Sequence, residues 1–160
     1  MNLENNTTII QKIGEHITYK DLKYHNNRVL VSKEFTFDSA HHLHCYEGVC
    51  KNLHGHTYRL IIGISGFIND IGMTLDFEEI KKIWDNEIKI HLDHRYLNES
   101  LPLMNTTAEN MVVWIFEKIE VSLSEKILSN NEQNLRVEFV RLFETPSSYA
   151  EIKREWIINE

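Results

Sequence analysis

The alternation of side chains that begins at Arg28 restricts the fold of this chain more than any other feature of the sequence. One set of alternate positions there holds Val29, Val31, Phe35, Phe37, Ser39 and His41. A second run, HGHTYRLIIGISGFI, begins at His54 and ends before a turn at residues 69–72. Because successive side chains of a strand point to opposite faces of a sheet, both runs predict strands with one buried face.

Two helices are predicted next. The segment DFEEIKKIWDNEIKI has a helical pattern, and Asp76 with Glu79 resembles a capping arrangement at its start. Its apolar stripe consists of Phe77, Ile80, Trp84 and Ile88. After the break at Pro102, Thr106 and Glu109 form a second helix-start signal. The apolar stripe of that helix consists of Ala108, Met111, Val112, Ile115 and Ile119.

Two further strands close the chain, NLRVEFVRLFE and YAEIKREWI, and the turn TPSS joins them. The element order ββααββ predicts an α+β fold with an antiparallel sheet and two helices on one face. A length of 160 residues predicts one domain. Residues 1–27 are polar and Asn-rich apart from Ile9, Ile10 and Ile13. We therefore expect an N-terminal extension of uncertain structure, followed by a domain at residues 28–160.

Charge and composition exclude several classes of function. A formal net charge of −7 argues against a broad nucleic-acid-binding face, because such faces need clustered lysine and arginine. The chain has no run of about eighteen apolar residues that would span a membrane, and we expect no secretory signal. Cys45 and Cys50 lie so close together that a disulfide between them would do little to stabilise a fold of this size. We therefore expect reduced thiols and a cytoplasmic protein.

Histidines are concentrated between Ser39 and His56, where five of the nine in the chain occur together with both cysteines. On a strand, His54 and His56 point the same way, and a hairpin-like pairing would bring His41 beside them. Three imidazoles suit zinc and leave a fourth coordination position open, which is the catalytic arrangement. An H-x-H pair alone is weak evidence, because most histidines are surface or core residues with satisfied hydrogen bonds. The clustering with a third histidine favours the metal site.

Two roles are open to Cys50. As a fourth zinc ligand it would close the site, whereas a free thiolate beside a cation would act as a nucleophile or base. Asp93 and His94 are either a proton-transfer relay or a polar pair at a helix end, and the spacing alone slightly favours the polar pair. Glu144 stands at the end of a strand, where an isolated carboxylate is usually solvated.

Six motifs taken together resemble the 6-pyruvoyltetrahydropterin synthase family: FDSAHH, CKNLHGH, MTLDF, LDHRYLN, TTAEN and FETP. They occur in the order and spacing of that family from about Arg28 to Trp156. The resemblance implies a tunnelling fold (T-fold), in which ββααββ subunits join their sheets into a barrel in a trimer and two trimers stack as a hexamer. It also implies active sites at subunit interfaces, so residues that act together need not meet within one chain.

Position by position, the resemblance implies three groups of site residues. The zinc ligands would be His41, His54 and His56. The catalytic residues would be Cys50 and its proton-relay partners, Asp93 and His94. The substrate-binding residues would be Glu144, which anchors the pterin ring, and the pocket-lining Thr106, Thr107 and Glu109. The family often has proline where Thr106 stands, and both residue types suit a helix start.

The spacing around Cys50 separates branches of the family. The form C-x₃-H-G-H is the short one, and Lys51 stands where a folate-branch enzyme would carry glutamate. This favours the bacterial 6-carboxytetrahydropterin synthase type of queuosine biosynthesis, with 7,8-dihydroneopterin triphosphate as substrate and Zn²⁺ as cofactor. Two alternatives stay open: a 6-pyruvoyltetrahydropterin synthase activity that leaves the substrate side chain intact, and a non-catalytic structural zinc protein.

Overall fold

A five-stranded sheet forms the centre of the fold in the computed structural model, which describes residues 14–23, 25–129 (backbone only for 125–129) and 134–157. The strands are β1 (Arg28–His41), β2 (His54–Phe67), β3 (Arg95–Tyr96), β4 (Arg136–Thr145) and β5 (Ser148–Lys153). Their order is β3-β1-β2-β4-β5. The four long strands pair antiparallel, as predicted, but the two-residue β3 pairs parallel to β1. The sheet is therefore mixed rather than purely antiparallel.

Two helical regions pack on one face of the sheet. Their helices are α1 (Phe77–Ile83), α2 (Lys89–Leu92), α3 (Leu97–Ser100) and α4 (Ala108–Ser129). A π-helical turn at Trp84–Ile88 joins α1 to α2, so the first predicted helix is interrupted rather than continuous. A row of residues four apart drifts around a regular α-helix, and the wider turn keeps Ile80, Trp84 and Ile88 buried. Phe77, predicted in the same stripe, is instead 50% exposed.

The helical regions and the inner face of the sheet share one hydrophobic core. In the middle of β2 and β4 the inward-pointing residues are fully buried, among them Leu60, Ile62, Ile64, Val140 and Leu142. The apolar stripe predicted for α4 packs in the same core, and Met111, Ile115 and Ile119 are each 0% exposed. Burying one such side chain contributes about 1.5–3 kcal/mol. This layer is therefore a stable support for the residues at the end of the sheet.

The start of α4 differs from the prediction by one residue. Thr107 rather than Thr106 caps the helix, because the Thr107 hydroxyl accepts a hydrogen bond from the Asn110 amide at 3.3 Å. Glu109 is exposed in the first turn. Thr106 is fully buried, and its carbonyl and hydroxyl face the ring of His41.

The last predicted strand, YAEIKREWI, ends earlier than expected. A 3₁₀ turn at Arg154–Trp156 follows β5. Arg154 donates a hydrogen bond to the Val137 carbonyl at 2.6 Å, and its guanidinium also reaches Glu120 on α4. These bonds tie Arg154 to β4 and to α4, so the chain after β5 does not continue as a strand.

The predicted N-terminal extension is described in part. Ile9, Ile10 and Ile13 lie outside the described residues. Tyr19–Asp21 forms a short 3₁₀ turn before β1 begins. Within the part of the chain that the structure describes, no helix combines the length and the apolar character needed to cross a membrane.

Candidate metal centre and active site

Three histidine side chains converge at the end of the sheet where β1 ends and β2 begins. His41 pairs with His54, and His56 pairs with Ser39, so all three imidazoles project from the inner face. Their candidate ligand atoms lie within 4.8 Å of one another, and the Nε2 atoms of His41 and His54 are 3.1 Å apart. The strand pairing thus brings together the three histidines that the sequence indicated.

Backbone carbonyls fix the tautomers of two of these rings. The Nδ1 of His41 lies 2.9 Å from the Thr106 carbonyl oxygen, and the Nδ1 of His54 lies 2.7 Å from that of Asn52. A carbonyl oxygen only accepts, so each Nδ1 carries the proton and each Nε2 presents a lone pair. The Nε2 of His56 is buried and has no hydrogen-bond partner among the described residues.

This donor set fits a small divalent cation. Two lone pairs that face each other at 3.1 Å repel unless a positive charge lies between them. Imidazole nitrogens bound to zinc at about 2.0–2.1 Å in a tetrahedral shell are about 3.3 Å apart. The residues that could hold a metal are therefore His41, His54 and His56.

Burial favours the metal-binding form of two of the three rings, those of His41 and His56. Burial lowers the pKa of His41, and the neighbouring His54 acts in the same direction, while the hydrogen bond to Thr106 opposes them. Burial also lowers the pKa of His56. A lower pKa keeps an imidazole neutral at pH 7, and the neutral imidazole is the metal ligand.

Cys50 lies in the loop between β1 and β2, within a 3₁₀ turn at Val49–Lys51. Its carbonyl accepts a hydrogen bond from the Leu43 amide at 2.9 Å, which closes the loop. Its thiol is free, and the residue is half-buried. Among the described residues, the donor atoms within 4.8 Å of one another are those of the three histidines, and the group includes neither the Cys50 sulfur nor the Glu144 carboxylate. This arrangement favours a thiol outside the metal shell over a closed Cys-His₃ shell.

Asp93 and His94 form a hydrogen-bonded pair directly after α2. The Nδ1 of His94 lies 2.9 Å from Oδ1 of Asp93, and the His94 amide donates to the Asp38 carbonyl at 2.7 Å. The His94 side chain is 78% exposed. It lines an open groove together with Asp38, Ala40 and Thr57, which project from the outer face, and the groove also reaches Ser39 and His56, whose side chains project from the inner face. Within one chain, His94 therefore lies on the outer face of the sheet, whereas the imidazoles of the histidine cluster project from the inner face.

Residues 30–155 match the family described as 6-pyruvoyl tetrahydropterin synthase. The chain belongs to this family. A 6-carboxy-5,6,7,8-tetrahydropterin synthase from Synechocystis is 41% identical over 96 residues, which cover 57% of this chain and 74% of that relative. One from Haemophilus influenzae is 32% identical over 145 residues, which cover 76% and 96%. The solved structure of Caenorhabditis elegans 6-pyruvoyl tetrahydropterin synthase superposes with a TM-score of 0.66 at 25% identity, and covers 80% of this chain and 96% of that one.

Membership of the 6-pyruvoyl tetrahydropterin synthase family confirms the resemblance that the six motifs carried. Of the three pocket residues that the resemblance implied, Thr106 contacts the cluster directly: its hydroxyl lies 3.2 Å from the same His41 nitrogen that its carbonyl binds. Thr107 caps α4, and Glu109 is exposed. Thr106 is therefore a support of the histidine cluster, whatever it does toward a substrate.

Glu144, on β4, lies against the histidine cluster. Its Oε1 is 3.6 Å from the Nε2 of His41 and 3.8 Å from the Nε2 of His56. The register accounts for this position, because Phe143 pairs with Arg59 and the next residue therefore projects from the inner face. The sequence pattern alone left this residue as a solvated carboxylate, and its contact with two candidate metal ligands was not predicted.

Sequence reasoning also missed two asparagines that hold the loop after β1. Asn98 accepts from the His42 amide at 3.0 Å and donates to the carbonyl of the same residue at 2.9 Å. Asn105 binds the backbone of His44 in the same two ways, at 2.7 Å and 3.0 Å. Tyr96 adds a hydrogen bond to the ring of His42 at 2.7 Å. The asparagines lie 56 and 61 residues from their partners, so no local pattern indicates them.

Tyr58 is a further residue that the sequence reasoning missed. It is fully buried, its ring stacks on Phe37 with centroids 4.9 Å apart, and its edge meets His56 at 5.5 Å. Burial raises the pKa of its hydroxyl, and Glu144 raises it further. This hydroxyl has no hydrogen-bond partner among the described residues. Tyr58 lies two residues after His56 and four after His54, so the three share one face of the strand, and this spacing could have indicated its place in the site.

Proposed function

We propose that this protein is a zinc-dependent carbon–carbon lyase of queuosine biosynthesis. It converts 7,8-dihydroneopterin triphosphate and one water to 6-carboxy-5,6,7,8-tetrahydropterin, acetaldehyde and triphosphate. One observation carries the proposal: the donor atoms of three histidines converge at the end of the sheet where β1 and β2 are joined by the loop that holds the free Cys50. The Synechocystis and Haemophilus relatives, which are named for this product, support the choice of reaction within the family.

His41, His54 and His56 would hold the zinc ion through their Nε2 atoms. When bound, the ion supplies positive charge that stabilises the negative charge developing on substrate oxygens. The carbonyls of Thr106 and Asn52 keep two of the rings in the tautomer that presents Nε2. The chain therefore prepares its metal ligands before any substrate binds.

Cys50 is the proposed base, which removes a carbon-bound proton from the substrate side chain as a thiolate. Asp93 holds the His94 ring by its Nδ1–H, so the Nε2 of that ring is left to exchange a proton with substrate. Because His94 and the cluster of one chain lie on opposite faces of the sheet, we propose that the dyad serves the cluster of a second copy. A homo-oligomer with interfacial sites, a hexamer of two trimers whose sheets close into barrels, would bring them together.

Glu144 would anchor the pterin ring, because a carboxylate accepts two parallel hydrogen bonds from the ring N–H and the exocyclic amine. Thr106, Thr107 and Glu109 would line the same pocket at the start of α4. Holding the ring orients the reacting side chain, and orientation supplies part of the rate acceleration.

We assign the catalytic domain to residues 28–160 and treat residues 1–27 as an extension of it. We also propose a cytoplasmic location. Both cysteines are free, and a reducing compartment would keep the Cys50 thiol available for chemistry.

Product analysis tests the proposed reaction. Zinc-loaded protein incubated with 7,8-dihydroneopterin triphosphate should form 6-carboxy-5,6,7,8-tetrahydropterin and acetaldehyde in equal amounts, with one triphosphate per turnover. Release of triphosphate without acetaldehyde would mean that the side chain stays intact, as in a 6-pyruvoyltetrahydropterin synthase reaction. No turnover at all in a preparation with one zinc per chain would contradict the enzymatic function and favour a structural zinc site.

A further inference from the structure

The carboxylate of Glu144 faces two ring nitrogens that do not donate a hydrogen bond to it. The Nε2 of His41 carries no proton, because the proton of that ring lies on Nδ1 and is donated to the Thr106 carbonyl. The distances from Glu144 Oε1 to the Nε2 atoms of His41 and His56, 3.6 Å and 3.8 Å, are also longer than N–H···O hydrogen bonds. A carboxylate oxygen that faces an imidazole lone pair is repelled unless a positive charge lies between them.

These distances match those between ligands of one metal ion. Donor atoms bound at about 2.0–2.1 Å are about 3.3 Å apart in a tetrahedral shell and about 4.1 Å apart when they lie in line. The separations of Glu144 from His41 and His56 fall between these limits. Glu144 is not part of the group of donor atoms that lie within 4.8 Å of one another, so its carboxylate must move to share an ion with all three histidines, and a side chain that is 32% exposed has room for this movement.

We propose that Glu144 is a ligand of the metal in the substrate-free enzyme and leaves the metal when a pterin ring binds. The proposal rests on the proposed function, in which the same carboxylate anchors the ring. Two parallel hydrogen bonds to a pterin use both carboxylate oxygens, so the ring and the metal compete for Glu144. The metal then gains a free coordination position only when the ring is in place, which makes its reactivity depend on the correct substrate.

Metal affinity tests the first half of the proposal. Co²⁺ replaces zinc in the full-length protein, and its dissociation constant is measured by chelator competition for wild type, Glu144→Gln and Glu117→Gln. Glu117 is an exposed carboxylate on α4 and serves as the matched control. Glu144→Gln should weaken binding by about 10-fold or more, since even groups that only support a ligand change metal affinity by about 10–100-fold. Equal affinity in all three proteins would mean that Glu144 forms only an ion pair with a protonated histidine, and would overturn the proposal.

The visible spectrum of the bound cobalt tests the second half. Without a ligand, the spectrum of wild type should differ from that of Glu144→Gln, because an oxygen donor is missing in the variant. Addition of pterin itself (2-amino-4-hydroxypteridine) should shift the wild-type spectrum toward that of the variant. Quenching of pterin fluorescence reports binding independently, so pterin that binds wild type without changing its spectrum would overturn the release of Glu144. The comparison of wild type with and without pterin does not depend on the folding of a variant.

Product analysis of the same zinc-loaded preparations separates the two proposals. A wild-type enzyme that forms 6-carboxy-5,6,7,8-tetrahydropterin while Glu144→Gln leaves metal affinity and spectrum unchanged would overturn the present inference and leave the proposed function intact. A carboxylate that binds the metal and leaves it on addition of pterin, in a protein without turnover, would overturn the proposed function and leave the present inference intact.

Discussion

The histidine cluster and the Asp93–His94 dyad are parts of one proposed active site, but the fold builds them in contrasting ways. The cluster projects from the inner face, its donor atoms converge within one chain, and backbone carbonyls orient two of its rings. The His94 member of the dyad lines a groove on the outer face, and its side chain is 78% exposed. On the proposed function, folding of a single chain completes the metal half of the site, whereas the proton-relay half is presented to a neighbouring copy.

The backbone at His94 explains why its side chain points outward. His94 has a φ of 54°, in the left-handed region that few residues other than glycine adopt. The bond from its amide to the Asp38 carbonyl holds it there, and Asp93 is fixed on the same residue through the Asp38 amide at 3.3 Å. Such a conformation costs about 1–3 kcal/mol and persists only where the surroundings enforce it. The outward position of His94 is therefore specified by β1.

Removing one histidine of the cluster should have the largest effect. His54→Ala leaves two imidazoles, and we expect metal affinity to fall by more than the factor of about 100 that the loss of a supporting group can cause. Metal analysis after dialysis should find less than one zinc per chain in His54→Ala and full loading in the matched variant Cys50→Ala. Loss of stoichiometric zinc from Cys50→Ala would show that the thiol is a metal ligand. It would contradict the claim that the three histidines alone hold the metal while Cys50 acts in proton transfer.

Removing the dyad should affect turnover and leave the metal in place. We expect His94→Ala to lower kcat by about 10²–10⁴, the usual contribution of a positioned acid or base. Zinc content should stay at the wild-type level, because His94 and the cluster lie on opposite faces. A variant that loses zinc together with activity would show that the two regions are not independent.

Mixed oligomers sharpen the comparison further. Cys50→Ala and His94→Ala are each inactive by expectation, and their subunits are mixed by unfolding and refolding together. If each site takes Cys50 from one copy and His94 from another, random mixing should restore about a quarter of the wild-type activity. No recovery in mixed, correctly assembled oligomers would place both residues in the same chain's site.

Acid should destabilise the metal-free protein, because His41 and His56 resist protonation in the folded state. Burial lowers the pKa of His41 and His56, so below about pH 6.5 the unfolded chain takes up protons that the folded chain does not. Their contribution to stability is complete above pH 6.5 and is lost as the pH falls through the folded values. Urea unfolding at pH 7.5 and 5.5 should show a smaller loss of stability for His56→Asn than for wild type. Equal losses would contradict burial as the origin of the effect.

The smallest effect is expected at the start of α4, where Thr106 and Thr107 have different tasks. Thr107→Ala removes the helix cap and should cost about 1 kcal/mol of unfolding free energy. Its metal affinity should equal that of wild type, because the bond to His41 comes from Thr106. Thermal unfolding and chelator competition on the same samples check both statements, and a change in metal affinity would mean that the cap and the cluster are coupled.

Local periodicity predicted the parts of the site that lie on regular strands. His54 and His56 share a face because they are two residues apart, and the antiparallel pairing then brings His41 opposite His54. The α+β class followed from the same periods. These features depend on spacing within single elements and on one strand pairing between neighbours in sequence.

Contacts between distant residues account for what the sequence did not reveal. Thr106 is buried instead of capping α4, because its carbonyl accepts a hydrogen bond from the ring of His41, which is 65 residues away. The parallel pairing of β3 with β1, beside which His94 lines the outer-face groove, could not be predicted, because a two-residue strand is too short to show a periodic pattern. The contact of Glu144 with the histidines likewise depends on the alignment of β4 with β2.

X-ray absorption at the zinc edge of the substrate-free enzyme tests the central claim most directly. The account predicts a shell of nitrogen and oxygen donors at about 2.0–2.2 Å, with three imidazoles and no sulfur. A zinc–sulfur distance of about 2.3 Å would place Cys50 in the shell, leave no free thiol for proton removal, and contradict the account.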